Sequence, residues 1–248
     1  MKKIVVWSLI ASLAGFLFGF DTVVISGADK KLQELWNSSD AFHGTVVMGM
    51  ALWGTVFGAI FGGIPANKIG RKNTLIWIGI LFFFSALGSA LANDPIVFAI
   101  FRFVGGLGVG ASTIAAPAYI SEIAPAKDRG KLVAFYQFNI VLGILIAFLS
   151  NYLLRNIGEN SWRWMMGVQA IPSFIYTLFI FTIPKSPRWL LSKSRNEEAK
   201  KVLALMGQET DFEAMKREIE LDNNNADTTH DTIFFKKYRT PLILAFLI

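Results

Sequence analysis

The chain has 248 residues, of which 53% are hydrophobic, 22 are Phe and only 17% are charged; a soluble chain carries about a quarter charged residues. There is no cysteine, which excludes disulfides and thiolate metal sites. The net charge of +6 follows from where Lys and Arg fall between apolar runs, so nucleic acid need not be invoked as a partner.

Apolar runs of about 20 residues recur, the length that crosses a bilayer. The first covers about residues 4–28. It is too long and too polar at its end for a signal peptide, and no small-residue cleavage site follows, so it reads as a retained span. Lys2 and Lys3 precede it and place the N-terminus inside. Gly15 and Gly19 give it a close-packing face. Asp21, near its far end, has apolar neighbours on both sides. It is open to two readings: a solvated or capped helix end, or an ion or proton relay group, since acids inside a membrane are expensive to keep. A mixed-charge outer loop at 29–43 leads to span 2, about 44–66. Gly54, Gly58 and Gly62 stack on one face there, for packing or, alternatively, substrate contact. The basic turn from Asn67 to Lys72 lies inside, span 3 covers about 73–92, and Asn93-Asp94-Pro95 turns outside.

Span 4, about 96–121, carries Arg102 and a Gly106-x-x-x-Gly110 pair. Asp21 lies about seven residues below the outer end of span 1 and Arg102 about six below that of span 4, so both sit roughly 10 Å deep. Opposite charges at one depth in one bundle are expected to pair, which offsets part of their desolvation cost. The run from Gly106 to Ala111 is not a dinucleotide loop, because no strand and turn precede it. A basic inner loop at 122–131 leads to span 5, about 132–154. Gln137, Ile144 and Asn151 are spaced seven apart there and share one face. After an outer loop at 155–162, Trp162 and Trp164 mark the interface at the start of span 6, about 163–183.

The segment from Pro184 to Leu190 reads PKSPRWL, and residues 191–240 are soluble in character. Ser194 with Glu197 and Thr210 with Glu213 read as capping boxes that start helices over about 195–206 and 211–222. A flexible linker is the alternative, favoured by Asn223-Asn224-Asn225. After Pro241 the chain turns apolar to Ile248, the expected start of a seventh helix cut short. The chain thus divides into a six-helix bundle at 1–190, a helical linker at 191–240 and the beginning of a further helix at 241–248. Before residue 184 the inside segments hold eight cations (Lys2, Lys3, Lys68, Arg71, Lys72, Lys127, Arg129, Lys131) and the outside segments four (Lys30, Lys31, Arg155, Arg163), as six spans with both ends inside require. An enzyme is not expected: the two histidines, His43 and His230, lie outside the spans, and no hydrolase or metalloprotease motif is present.

GFDTVVISGA at 19–28, GRKN at 70–73, the Phe101 to Leu132 stretch and PKSPRWL at 184–190 occur in the order found in the sugar porters, a branch of the major facilitator superfamily. Together they resemble the N-terminal half of that family. The resemblance implies an all-α fold: six transmembrane helices as two three-helix repeats, followed by cytoplasmic helices. It implies a secondary transporter in the cytoplasmic membrane that moves a monosaccharide by alternating access against a second six-helix half. Asp21 and Arg102 would couple a proton, which serves as the coupling ion with no other cofactor. Phe18, Gln137 and Ile144 would meet the sugar. Arg71, Glu122, Arg129 and Arg188 would form a cytoplasmic gate. Two departures bear on that gate. Asn67 stands where the wider superfamily has Asp, although sugar porters often have Asn there, and Lys185 stands where the family usually has Glu. A polyol or inositol symporter, a facilitator and a non-transporting sensor or half-protein are the alternatives.

Overall fold

The structure, a computed structural model, describes residues 2–228. The expected seventh-helix start at 241–248 lies outside the described residues. Among them every regular element is helical. In chain order these are α1 (Lys2–Val24), a 3-10 turn (Ile25–Gly27), α2 (Asp29–Leu35), α3 (Asp40–Phe42), a π-helical turn (His43–Met48), α4 (Met50–Phe61), α5 (Gly63–Lys68), α6 (Arg71–Leu91), α7 (Pro95–Ile123), α8 (Arg129–Leu154), α9 (Ser161–Gly167), α10 (Ala170–Thr182), α11 (Pro187–Ser192), α12 (Asn196–Met206) and α13 (Phe212–Thr228), with a 3-10 turn (Glu209–Asp211) before the last.

Six of the resulting rods are long and apolar enough to cross a membrane: Lys2–Gly27, Asp40–Lys68, Arg71–Leu91, Pro95–Ile123, Arg129–Leu154 and Ser161–Thr182. The second begins earlier than its apolar run, because α3 and the π turn carry the helix back to Asp40. The segment before it, expected as a loop, is also helical, as α2. The fourth starts sharply. The Asp94 carboxylate accepts from the amides of Ile96 and Val97, and Pro95 fills the first turn, where no amide is missed.

Spans 1 and 4 are mostly buried, whereas spans 2 and 5 expose most of their surface. Span 2 leans on span 4 and span 5 on span 1. Both contacts are made by small residues. A Cβ on Gly54 would run into the Phe103 carbonyl, and one on Gly106 into the Ala51 carbonyl. This backbone-to-backbone approach is how membrane helices gain contact where lipid is as apolar as Leu. The glycines of span 2 are therefore consumed by packing, and substrate contact by them is corrected. Gly15, Gly19 and Gly143 do the same between spans 1 and 5.

The linker forms α12 and α13, but neither expected capping box exists. Ser194 has φ 57, and α12 begins at Asn196 with no side-chain cap. An N-cap needs extended backbone, which a left-handed Ser194 lacks. Thr210 lies inside the 3-10 turn and not at a helix entry. Gly207 closes α12 in the left-handed region (φ 70). Helix α13 runs on through Asn223, Asn224 and Asn225, so the stretch that favoured a flexible linker is helical.

Candidate functional site

The end of the bundle where α1 finishes holds a buried ion pair between spans 1 and 4. Arg102 Nη1 donates to Asp21 Oδ1 at 2.7 Å, and Nη2 donates to the Asp21 backbone carbonyl at 3.0 Å. Each residue is 1% exposed, so the pair is closed off from solvent. Its position follows from the sequence depth match, with spans 1 and 4 running in opposite directions. Gly105 makes the space: a Cβ there would strike Ser85 Oγ and come within 3.3 Å of Asp21 Oδ1. Ser85 Oγ donates to the Phe101 carbonyl at 2.8 Å.

Asp21 also sits where α1 gives way to the 3-10 turn. The last carbonyls of a helix lack intrahelical partners. Arg102 takes that of Asp21, and Asn151 Nδ2 takes that of Val24 at 3.0 Å. The end of α1 is thus held by α7 on one side and α8 on the other. A guanidinium at this end also suits the negative pole of the helix.

Phe18, one turn before Asp21, is half-buried and packs against the bundle core. Gln137 is exposed and Ile144 half-buried, while Asn151 is buried. The shared polar face expected for these three is therefore corrected. Over two heptads the drift of about 20° each carries Asn151 onto the stripe of Tyr136, Asn139, Gly143 and Ala147 that meets α1. Asn139, which sequence reasoning passed over, donates to Ser12 Oγ at 2.8 Å across this contact. Its spacing of four from Gly143 and twelve from Asn151 was the available signal.

At the opposite end of the bundle, the turn before α6, the end of α7 and the segment before α11 converge. Arg71 Nε lies 2.8 Å from Glu122 Oε1, and Arg71 Nη1 donates to the Ala66 carbonyl at 2.9 Å. Ser186, also missed by sequence reasoning, hydrogen-bonds Glu122, and Arg188 bears on the same carboxylate electrostatically. Arg188 Nη2 donates to Glu218 Oε1 at 3.0 Å and so ties α13 to the cluster. Tyr119 Oη donates to the Pro184 carbonyl at 2.9 Å. Trp189 Nε1 donates to the Asn67 carbonyl at 3.0 Å, and its ring covers Gly70. Asn67 thus enters through its backbone, which a carboxylate at that position would do equally well. The Lys185 ammonium lies 5.8 Å from the centre of the Trp189 ring, a cation–π contact. A cavity of about 350 Å³ opens beside Arg71, Glu122, Arg188 and Trp189. Arg129 is not brought into this cluster: it is exposed in the first turn of α8. Among the described residues no group of three or more His, Cys, Asp or Glu is placed to hold a metal.

A family model described as "Sugar (and other) transporter" matches residues 7–248. The D-xylose-proton symporter of Escherichia coli is 36% identical over 227 residues, which cover 79% of this chain and 46% of that protein. The major myo-inositol transporter IolT of Bacillus subtilis is 34% identical over 230 residues, 91% of this chain and 49% of that one. Among solved structures, the proton:xylose symporter XylE bound to 6-bromo-6-deoxy-D-glucose matches with a TM-score of 0.85 at 32% identity, covering 94% of this chain and 55% of that chain. The chain spans about half the length of the curated relatives it matches.

Proposed function

The chain belongs to the sugar porter family of the major facilitator superfamily, whose members are transporters and not enzymes, and from that premise we propose that it forms the N-terminal half of a sugar/proton symporter. It lies in the cytoplasmic membrane with its N-terminus and α11–α13 on the cytoplasmic side, and it works by alternating access against a second six-helix half. The observation that carries this reading is the Asp21–Arg102 pair, a carboxylate and a guanidinium 1% exposed at one depth of the bundle. Buried ionisable groups in a membrane are retained for work and not for stability.

A proton that reaches Asp21 cancels its charge. Arg102 then keeps only neutral acceptors on α1, the Asp21 acid and backbone carbonyl, and loses its counter-charge. Spans 1 and 4 can shift against each other in that state more readily than in the ionised one. That difference is the coupling between proton and conformation. Phe18 offers an aromatic face to the sugar ring, and the Gln137 amide offers both a donor and an acceptor to adjacent hydroxyls. Ile144 lies two turns along α8 from Gln137 and completes that wall. The cluster of Arg71, Glu122 and Arg188 closes the cytoplasmic end and parts when the site opens inward.

The test is Asp21→Asn in the transporter expressed from its native gene. Accumulation of sugar against its gradient is expected to be lost while exchange of labelled for unlabelled sugar persists. Accumulation that still follows an imposed proton gradient in the variant would refute the coupling role. A second reading, transport of a polyol, is favoured by the similarity to the inositol transporter over 91% of the chain. Competition of xylose and myo-inositol for uptake decides between them.

A further inference from the structure

The first turns of α1 and α8 meet in a cleft of about 260 Å³. Ile4, Val5, Leu132 and Phe135 form its walls, and Asp128 and Lys131 supply its polar lining. Ile4 and Leu132 are buried at its base, while Val5 and Phe135 stand 40% and 39% exposed at its mouth. Of the exposed cations there, Lys131 lines the cleft, and Lys2, Lys3, Lys127 and Arg129 lie within two residues of its lining along the chain, against the single acid Asp128.

We propose that this cleft is a binding site for one anionic glycerophospholipid, its acyl chain between α1 and α8 and its phosphate among the cations. Three observations carry the assignment. Arg129 and Lys131 occupy the first turn of α8, with no acid in that turn. The positive pole of a helix disfavours cations there, so beyond marking the inner side these charges gain from an external anion, which would satisfy both. The cleft admits a chain of methylenes and not another helix, which is roughly 10–12 Å across. Its orientation is the third. Phe135 lies about 200° round α8 from Gln137 at 3.6 residues per turn, so the cleft faces away from the surface assigned to sugar and to the second half. That leaves bilayer beside it. Basic side chains at such a boundary form charge-assisted hydrogen bonds with phosphate oxygens.

Dioleoyl phosphatidylglycerol and dioleoyl phosphatidylcholine, titrated separately into the purified protein in neutral detergent, test the site by native mass spectrometry. One phosphatidylglycerol is expected to be retained in preference to phosphatidylcholine. Lys127→Gln with Lys131→Gln should weaken its binding about fivefold per cation removed. Lys30→Gln with Lys31→Gln, a matched pair at the other end of the bundle, should leave it unchanged. Val5→Trp fills the mouth of the cleft and should abolish the retained lipid. Equal retention of the two lipids, equal loss from both charge pairs, or a Val5→Trp protein that keeps its phosphatidylglycerol would each overturn the assignment. The charge pairs are exposed and report even where the Trp variant fails to fold.

Discussion

Arg102 grips Asp21 twice, once at the carboxylate at 2.7 Å and once at the backbone carbonyl at 3.0 Å. One guanidinium therefore serves both as counter-charge and as cap for the end of α1.

That double role predicts unequal effects on stability. Removing one partner of a buried pair leaves an uncompensated charge and costs about 3–5 kcal/mol. Arg102→Ala should fall in this range. Asp21→Ala combined with Arg102→Ala should cost less than the sum of the single changes. Arg102→Lys should fall between wild type and Arg102→Ala, because an ammonium lacks the planar fork that spans side chain and carbonyl. Thermal unfolding in detergent measures all four, and strict additivity would argue against the contact.

The turn before α6 depends on Gly70, which has φ 93 and carries the Trp189 ring where a Cβ would stand. Gly70→Ala should cost about 1–3 kcal/mol from backbone strain alone. Trp189→Phe keeps an aromatic ring but loses the bond to the Asn67 carbonyl, and should cost about 1 kcal/mol. The same unfolding assay checks both. A neutral Gly70→Ala would contradict the backbone geometry.

Asn139 and Ser12 join spans 5 and 1 by a 2.8 Å hydrogen bond. Polar contacts between membrane helices average about 0.6 kcal/mol in double-mutant cycles. Asn139→Ala and Ser12→Ala should therefore show a coupling of about that size. A coupling near zero would mean that each side chain finds another partner when the first is removed.

Glu122 bridges Arg71 and the Ser186–Arg188 segment. Glu122→Gln removes the charge that holds these cations together. Because the chain has no cysteine, a thiol introduced as Ser192→Cys at the edge of the neighbouring cavity reports its opening without background. Alkylation of that thiol by a membrane-impermeant maleimide should be faster in the Glu122→Gln protein. An unchanged rate would show that the cluster does not close this end.

The six spans were legible because each is a long apolar run, and a buried helix needs little else to declare itself. The contact of Asp21 with Arg102 was legible because a rise of 1.5 Å per residue converts sequence position into depth. The same arithmetic fails around the helix axis. Gln137, Ile144 and Asn151 look equivalent at a spacing of seven, yet the drift places Asn151 against α1 and leaves Gln137 exposed. The caps of α12 and α13 were misread because a capping box is a pattern of residue types, whereas the cap itself requires backbone that Ser194 does not adopt. Ser186 and Glu218 were missed because their partners, Glu122 and Arg188, lie far off in sequence and only folding brings them together.

The pairing of span 1 with spans 4 and 5 has a cost in time. Arg102 follows Asp21 by 81 residues, and Asn151 follows Val24 by 127. At roughly 5–20 residues per second, the ribosome needs about 4–16 s after making Asp21 to reach Arg102. Through that interval the nascent first span carries an acid with no counter-ion and a helix end with no cap. The insertion machinery, or water beside it, must shelter that carboxylate until the fourth span arrives.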